Sequence, residues 1–220
     1  MTNLYLANTD QLADPALFAR LYQTAPLHRQ EKINAMKFPK GKRQCLGAWL
    51  LLMHGLKEAG IHDGDVHLSY GPLGKPFLTD YPKLFFNLSH SGSRVFCAIS
   101  DREVGCDVER IRPADLSVVS RFFSPEECQT IMKALLEEQN DMFFRFWTLK
   151  ESFIKNVGRG LSMPLNEFTI HLSNKGVRID QQLLQEELFL QDFDLHDGYS
   201  YACCARDPHI RQIQIVHFDE

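Results

Sequence analysis

Nothing in the 220 residues runs apolar for the ~18 positions that a membrane-crossing helix needs, so no such span is expected. A dominant charge sign is missing too. The formal charge of −4 gives no hint of a nucleic-acid partner, so an anionic ligand would need a local basic patch. The first residues, Met1 to Pro15, carry no basic segment followed by an apolar one, and a signal peptide is not expected. Cysteine pairs at metal-ligand spacing are absent: Cys45, Cys97, Cys106, Cys128, Cys203 and Cys204 lie inside apolar runs. They read as small buried hydrophobes in a reducing compartment, which predicts a cytoplasmic protein. A Walker loop is excluded, because in Gly71-Pro72-Leu73-Gly74-Lys75-Pro76 the spacing is short and Pro76 stands where a Ser or Thr is required. Low-complexity stretches and strong internal repeats are also lacking.

What is present is ample material for a core. Apolar residues make up 44% of the chain and aromatic ones 11%, including sixteen Phe, and the length allows one domain or two compact halves. The stretch from Phe143 to Gly160 organises the rest. Phe143, Phe146, Trp147, Ile154 and Val157 recur at helical spacing, and Gly158 and Gly160 close the helix. Glu151 and Lys155 stand one turn apart on a neighbouring stripe, with Lys150 beside them. An exposed Glu–Lys pair worth ~0.2–0.5 kcal/mol would be the plain reading if this helix stood alone.

Upstream, residues 15–60 read as helical, with an apolar face of Leu46, Trp49, Leu50, Met53 and Leu56 and a stop at Gly60. A basic scatter (His28, Arg29, Lys32, Lys37, Lys40, Lys42, Arg43) is either a solvated face or an anion site. Arg43, near the start of a long helix, is the best ligand candidate in it. Val66 to Tyr70 is extended and runs into the glycine turn that carries Lys75. Phe85 to Leu88 reads as a buried strand with Ser89 and His90 at its open end. Arg94 to Ser100 is a strand, and Val104 to Glu109 returns. The two-residue period puts Cys106 and Val108 on one face, Asp107 and Glu109 on the other. An acidic outer face is the ordinary reading of that pattern. Paired carboxylates also invite a hard cation, and with Glu151 as a third oxygen source the set suits Mg²⁺. Ser124-Pro125-Glu126-Glu127 opens a helix through about Glu137, with Glu127 placed for a capping box. Phe168 to Leu172 and Val177 to Ile179 form a hairpin; Tyr199 to Ala205 and Ile213 to Phe218 are further strands. Residues 180–198 are uninformative.

Lys75 on a turn, Ser89 and His90 at a strand end, and Lys150 and Lys155 around a helical carboxylate offer phosphate contacts on separate elements. Asp107, Glu109 and Glu151 offer a divalent-metal site. Together they point to phosphoryl transfer, in which positioning and charge neutralisation do most of the catalysis.

Gly71-x-x-Gly-Lys-Pro76, Asn87-x-Ser-His-Ser91, Gly105-x-Asp-x-Glu109 and Trp147-x-x-Lys-Glu-Ser-x-x-Lys155 with Gly158-x-Gly160 stand in an order and spacing that resembles the Sfp-type 4′-phosphopantetheinyl transferases. The resemblance spans roughly residues 40–165; Ser152 stands where the family usually has Ala. It implies an α+β monomer of two similar α/β halves related by pseudo-twofold symmetry, with the ligand cleft between them. The boundary is expected near Val104. Residues 1–104 would form the adenine and 3′-phosphate side, and 105–220 the metal and carrier-protein side. It further implies transfer of phosphopantetheine from coenzyme A to a serine of an apo acyl or peptidyl carrier protein, with Mg²⁺, releasing 3′,5′-ADP. Asp107, Glu109 and Glu151 would hold the metal, and Glu151 or a metal-bound water would take the serine proton. Lys155 would neutralise the phosphate next to the pantetheine arm. Lys75, Ser89 and His90 would hold the adenine and 3′-phosphate end, with Arg43 helping; the place of the family's N-terminal basic residues would fall to one of Arg29, Lys32, Lys37 or Arg43. Leu161 and Met163 would lie where the carrier protein docks. The competing readings are a metal-dependent pyrophosphate hydrolase and a non-catalytic coenzyme A-binding module.

Overall fold

A computed structural model describes residues 1–61, 66–160 and 163–219. The chain opens with β1 (Thr2–Asn8), followed by α1 (Pro15–Thr24), α2 (Leu27–Asn34) and α3 (Pro39–Glu58). The helical stretch expected over 15–60 is therefore three helices. Pro26 and Phe38 have extended backbone, and Pro39 can sit only in the first turn of the helix it begins. Next come β2 (Leu68–Tyr70) and β3 (Pro76–Leu78), a small hairpin around the glycine turn, and the antiparallel pair β4 (Phe85–Ser91) and β5 (Arg94–Ser100). The strand expected to break after Leu88 continues to Ser91, so Ser89 and His90 lie within it.

After β6 (Val104–Arg110) come α4 (Val119–Phe122), α5 (Pro125–Lys133) and α6 (Gln139–Val157). Helix α5 stops short of Glu137 because Ala134 turns extended. The remaining strands are β7 (Thr169–Ser173), β8 (Gly176–Asp180), β9 (Phe189–Phe193), β10 (Tyr199–Ala205) and β11 (Ile210–Val216). Strand β9 falls in the stretch whose sequence was uninformative.

Two main sheets result, with strand orders β11-β1-β5-β4 and β6-β10-β9-β8-β7. Side-chain alternation assigns each face. Tyr5, Ala7, Cys97 and Ile99 pack under α3, whereas Leu4, Leu6, Phe96 and Ala98 face the second sheet, meeting Val104, Cys106, Val108, Tyr201 and Cys203. Ala202 and Cys204 of β10 face the other way, into the aromatic core built on α6. The layers run helix, sheet, sheet, helix, which makes the expected α+β class plain. In each half a leading strand, helices, a hairpin and two further strands follow in the same order. The leading strand pairs with the last of that series, β1 with β5 and β6 with β10. The expected division at 104/105 is crossed once, because β11 returns to pair in parallel with β1. Without it β1 would be left as an edge with unpaired N–H and C=O groups.

Candidate active site

Helix α6 lies flush on β6. A Cβ on Gly105 would collide with the Ser152 carbonyl oxygen and the Asn156 amide, so only glycine permits this approach. Asn156 locks the contact from a buried position, donating to the carbonyls of Glu103 (2.9 Å) and Cys204 (3.0 Å). Gly158, with φ 76°, ends the helix in the left-handed conformation and donates to Ile154 O at 2.8 Å. This docking brings Lys155 over the second residue after Gly105. Lys155 Nζ is 2.6 Å from Asp107 Oδ1, and it also donates to Ser89 Oγ at 3.0 Å.

The two sheets meet along β4 and β6, and a row of side chains takes the place of backbone pairing there. Asn87 Oδ1 accepts from Cys106 N at 2.9 Å, Ser89 Oγ from Val108 N at 3.3 Å, and Ser91 Oγ from Arg110 N at 3.1 Å. The serine hydroxyls donate onward: Ser89 to Asp107 Oδ1 at 2.7 Å and Ser91 to Glu109 Oε2 at 2.7 Å. The seam thus gathers hydroxyls from one half and carboxylates from the other. The ordinary reading of β6, an acidic face turned to solvent, does not hold for Asp107, which is 4% exposed.

Glu151 is half-buried on the same side of α6. Burial, and after it the Asp107 carboxylate, raise its pKa from 4.5; Lys155 opposes this and Glu109 adds to it. Lys155 has its pKa raised as well: burial works against its charge, but Asp107, Cys106 and Glu151 together outweigh that. Asp107, Glu109 and Glu151 are therefore brought within reach of one another's charge. Among the described residues, however, no group of three His, Cys, Asp or Glu side chains is arranged to hold a metal ion. Lys155 lies against Asp107, and Ser91 and Arg112 (3.6 Å) lie against Glu109. The donor chemistry still fits a hard cation. Asp107 Oδ2 is buried with no hydrogen-bond partner, and Glu151 is pressed by two like charges. Mg²⁺ takes only one or two protein carboxylates beside phosphate and water, so a complete protein cage is not needed.

The other expected residues fall in different places. Lys75 Nζ pairs with Glu103 and donates to Asn156 O at 3.0 Å, at the start of β6 and the end of α6. Ser89 sits on β4, opposite Asp107 and Val108 of β6. His90 is exposed and shares a crevice with Met36, Lys37, Phe38, Lys40, Gly41 and Gln44. Its surroundings still desolvate it enough, together with Lys155, to lower its pKa from 6.5. Arg43 is half-buried with its Nε unpartnered and does not line that crevice. Arg29 is buried with its guanidinium 4.8 Å from the Trp49 ring centroid, and Lys32 lies over Tyr70.

Two expectations need correction. Lys150 does not flank the site. It is wholly buried, 2.9 Å from Glu127 Oε1, and donates to Leu165 O and Phe168 O at 2.8 and 2.7 Å. It takes the opposite side of α6 because the apolar face of α5 covers that flank. Glu127 holds its expected capping box with Ser124 and also accepts from Ile170 N at 2.6 Å. Met163 offers no docking surface, being 5% exposed inside the α6 core. Leu161 lies outside the described residues. Ser91 was named only as the end of the Asn87-x-Ser-His-Ser91 motif and was given no role, and Asn156 and Glu103 were not singled out.

A seam where a lysine, two hydroxyls and three carboxylates adjoin a basic crevice suits a ligand with several phosphates, the substrate chemistry of phosphoryl-group transferases. The sequence comparisons narrow that class. A profile described as the 4′-phosphopantetheinyl transferase superfamily matches residues 103–204. The 4′-phosphopantetheinyl transferase Sfp of Bacillus subtilis is 31% identical over 217 residues, covering 91% of this chain and 97% of the relative. A second Bacillus subtilis relative, 4′-phosphopantetheinyl transferase ffp, is 32% identical over 205 residues, covering 86% and 91%. The 4′-phosphopantetheinyl transferase gsp of Aneurinibacillus migulanus is 32% identical over 174 residues, covering 79% and 73%. The chain belongs to the 4′-phosphopantetheinyl transferase family.

Proposed function

We propose that this protein transfers the 4′-phosphopantetheine group of coenzyme A to a serine of an apo acyl or peptidyl carrier protein. The serine oxygen forms a bond to the phosphorus on the pantetheine side of the pyrophosphate. The bond from that phosphorus to the bridging oxygen breaks, and 3′,5′-ADP leaves with the electron pair. Glu151, whose pKa is raised by burial and then by the Asp107 carboxylate, accepts the serine proton. Lys155 neutralises the phosphate that stays with the pantetheine arm. Asp107, Glu109 and Glu151 would hold Mg²⁺, with Glu151 serving as ligand or as base but not both at once; the ion would supply neutralisation of the charge developing on the leaving phosphate. His90, with Lys37 and Lys40 in its crevice, suits the 3′-phosphate and adenine end, with Ser89 next to it on β4. Arg43 is a further candidate for that end. Lys75, held by Glu103 and Asn156 O at the start of β6, would have to leave those partners to join it. The N-terminal half, 1–104, thus serves the nucleotide, and 105–220 serves the metal and the carrier protein. No helix among the described residues is long and apolar enough to cross a membrane.

The observation that carries this reading is the unpartnered, buried Oδ2 of Asp107 beside a lysine and a carboxylate of raised pKa. Incubation with an apo carrier protein, coenzyme A and Mg²⁺ should add the phosphopantetheine mass to the carrier, and Asp107→Asn should abolish the addition with the fold intact. Failure across acyl and peptidyl carriers would overturn the proposal. Release of 3′,5′-ADP without any carrier would show a hydrolase instead.

A further inference from the structure

We propose that Ser91 is a positioning residue, whose hydroxyl fixes the Glu109 carboxylate in the orientation that a divalent cation requires. The inference rests on the reading above, in which Glu109 is one of the cation's oxygen ligands.

A serine hydroxyl has one hydrogen to give and lone pairs to receive. At Ser91 both capacities are in use: the Arg110 amide donates to Oγ at 3.1 Å, and Oγ donates to Glu109 Oε2 at 2.7 Å. Because the amide occupies a lone pair, the hydroxyl hydrogen is directed at the carboxylate. Two residues earlier the same arrangement is built around the other strand carboxylate. Val108 N donates to Ser89 Oγ, and Ser89 Oγ donates to Asp107 Oδ1. Each hydroxyl of β4 thus takes the amide after a carboxylate residue of β6 and gives its proton to that carboxylate. A merely structural seam needs only the first half of this pattern, as Asn87 shows by capping Cys106 N with its side-chain oxygen.

The two serines differ in what surrounds their carboxylates. Asp107 is also held by Lys155, so its orientation survives loss of Ser89. Glu109 has Arg112 at 3.6 Å, a side chain 59% exposed and thus a weak restraint. Ser91 is therefore the closer and better-ordered partner of Glu109. Partners that orient ligating carboxylates typically change metal affinity by about 10–100-fold when removed.

The test is Mn²⁺ titration of the full-length protein, with no other ligand, followed by the loss of the free-ion electron paramagnetic resonance signal. Ser91→Ala should weaken Mn²⁺ binding by about tenfold or more. Ser91→Thr, which keeps the hydroxyl, should bind near the wild-type value. In turnover, Ser91→Ala should raise the Mg²⁺ concentration for half-maximal rate more than it lowers the rate at saturating Mg²⁺. If Ser91→Ala binds Mn²⁺ as tightly as wild type while Glu109→Gln binds it weakly, the positioning role is overturned and the metal reading stands. A lowered melting temperature with unchanged Mn²⁺ affinity overturns it too. If wild type binds no Mn²⁺, or Glu109→Gln is indistinguishable from wild type, both the metal reading and the inference fall. Should Ser91→Ala not fold, Ser91→Cys, similar in size but a weaker donor, takes its place with the same expected loss of affinity.

Discussion

Glu151 is the residue whose environment asks most of it. Burial, then Asp107, raise its pKa above 4.5, so the folded protein keeps that proton when the unfolded chain has lost it. Its contribution to stability is complete below pH 4.5 and is lost as pH rises through the folded-state value. In chelator and without coenzyme A, Glu151→Gln should therefore melt higher than wild type at pH 7.5. The gap should be measurable at pH 7.5 and should narrow towards pH 4.5. Differential scanning calorimetry over that range checks it; a gap that widens in acid would contradict the assignment. Spacing made the pairs within each element legible, 107 with 109 on a strand and 151 with 155 one helical turn apart; that the helix meets the strand was expected from the family resemblance alone. The destination of Lys150 was not. Its position in sequence matches that of Glu151, and only the packing of α5 against α6 decides which flank is dry.

That packing sets the expectation for whole elements. The Lys150–Glu127 pair joins α6 to α5 and, through Ile170 N, to β7, with both side chains at 0% exposure. Removing one partner strands the other charge, which typically costs about 3–5 kcal/mol, whereas a neutral pair of similar shape costs far less. Lys150→Met should lower the unfolding free energy by that amount in urea titration. The double change Glu127→Gln/Lys150→Met removes both charges but keeps only one of the two acceptors that Glu127 offers to Ser124 N and Ile170 N, so it should recover part of that loss. A loss below about 1 kcal/mol for the single variant would mean the pair is better hydrated than its burial indicates. Helix caps and strand faces at this scale were readable in advance: Ser124 with Glu127, Gly158, and the alternation along β6. Element ends decided by tertiary pairing were not. Strand β4 runs on to Ser91 because β5 and β6 give its polar residues partners, and nothing local marks β9.

At the scale of the molecule, the site belongs to neither half alone. The hydroxyls come from the first sheet and the carboxylates from the second, so the geometry of the seam is the geometry of the candidate site. The seam runs where β4 of the first sheet meets β6 of the second. Motif order carried the resemblance from which two similar halves were expected. It was silent on β11, a strand with no motif whose place is set by the open flank of β1.

The return of β11 to the first sheet, with the chain passing to the second sheet between Ser100 and Val104, means the two units are clasped rather than stacked. Severed in that passage, the upstream fragment would lack its outermost strand, which only the downstream fragment carries. Neither piece should be soluble when produced alone, and co-produced pieces should associate into a working enzyme that co-purifies through one affinity tag. A soluble upstream piece with a cooperative melt of its own would show that the clasp is dispensable.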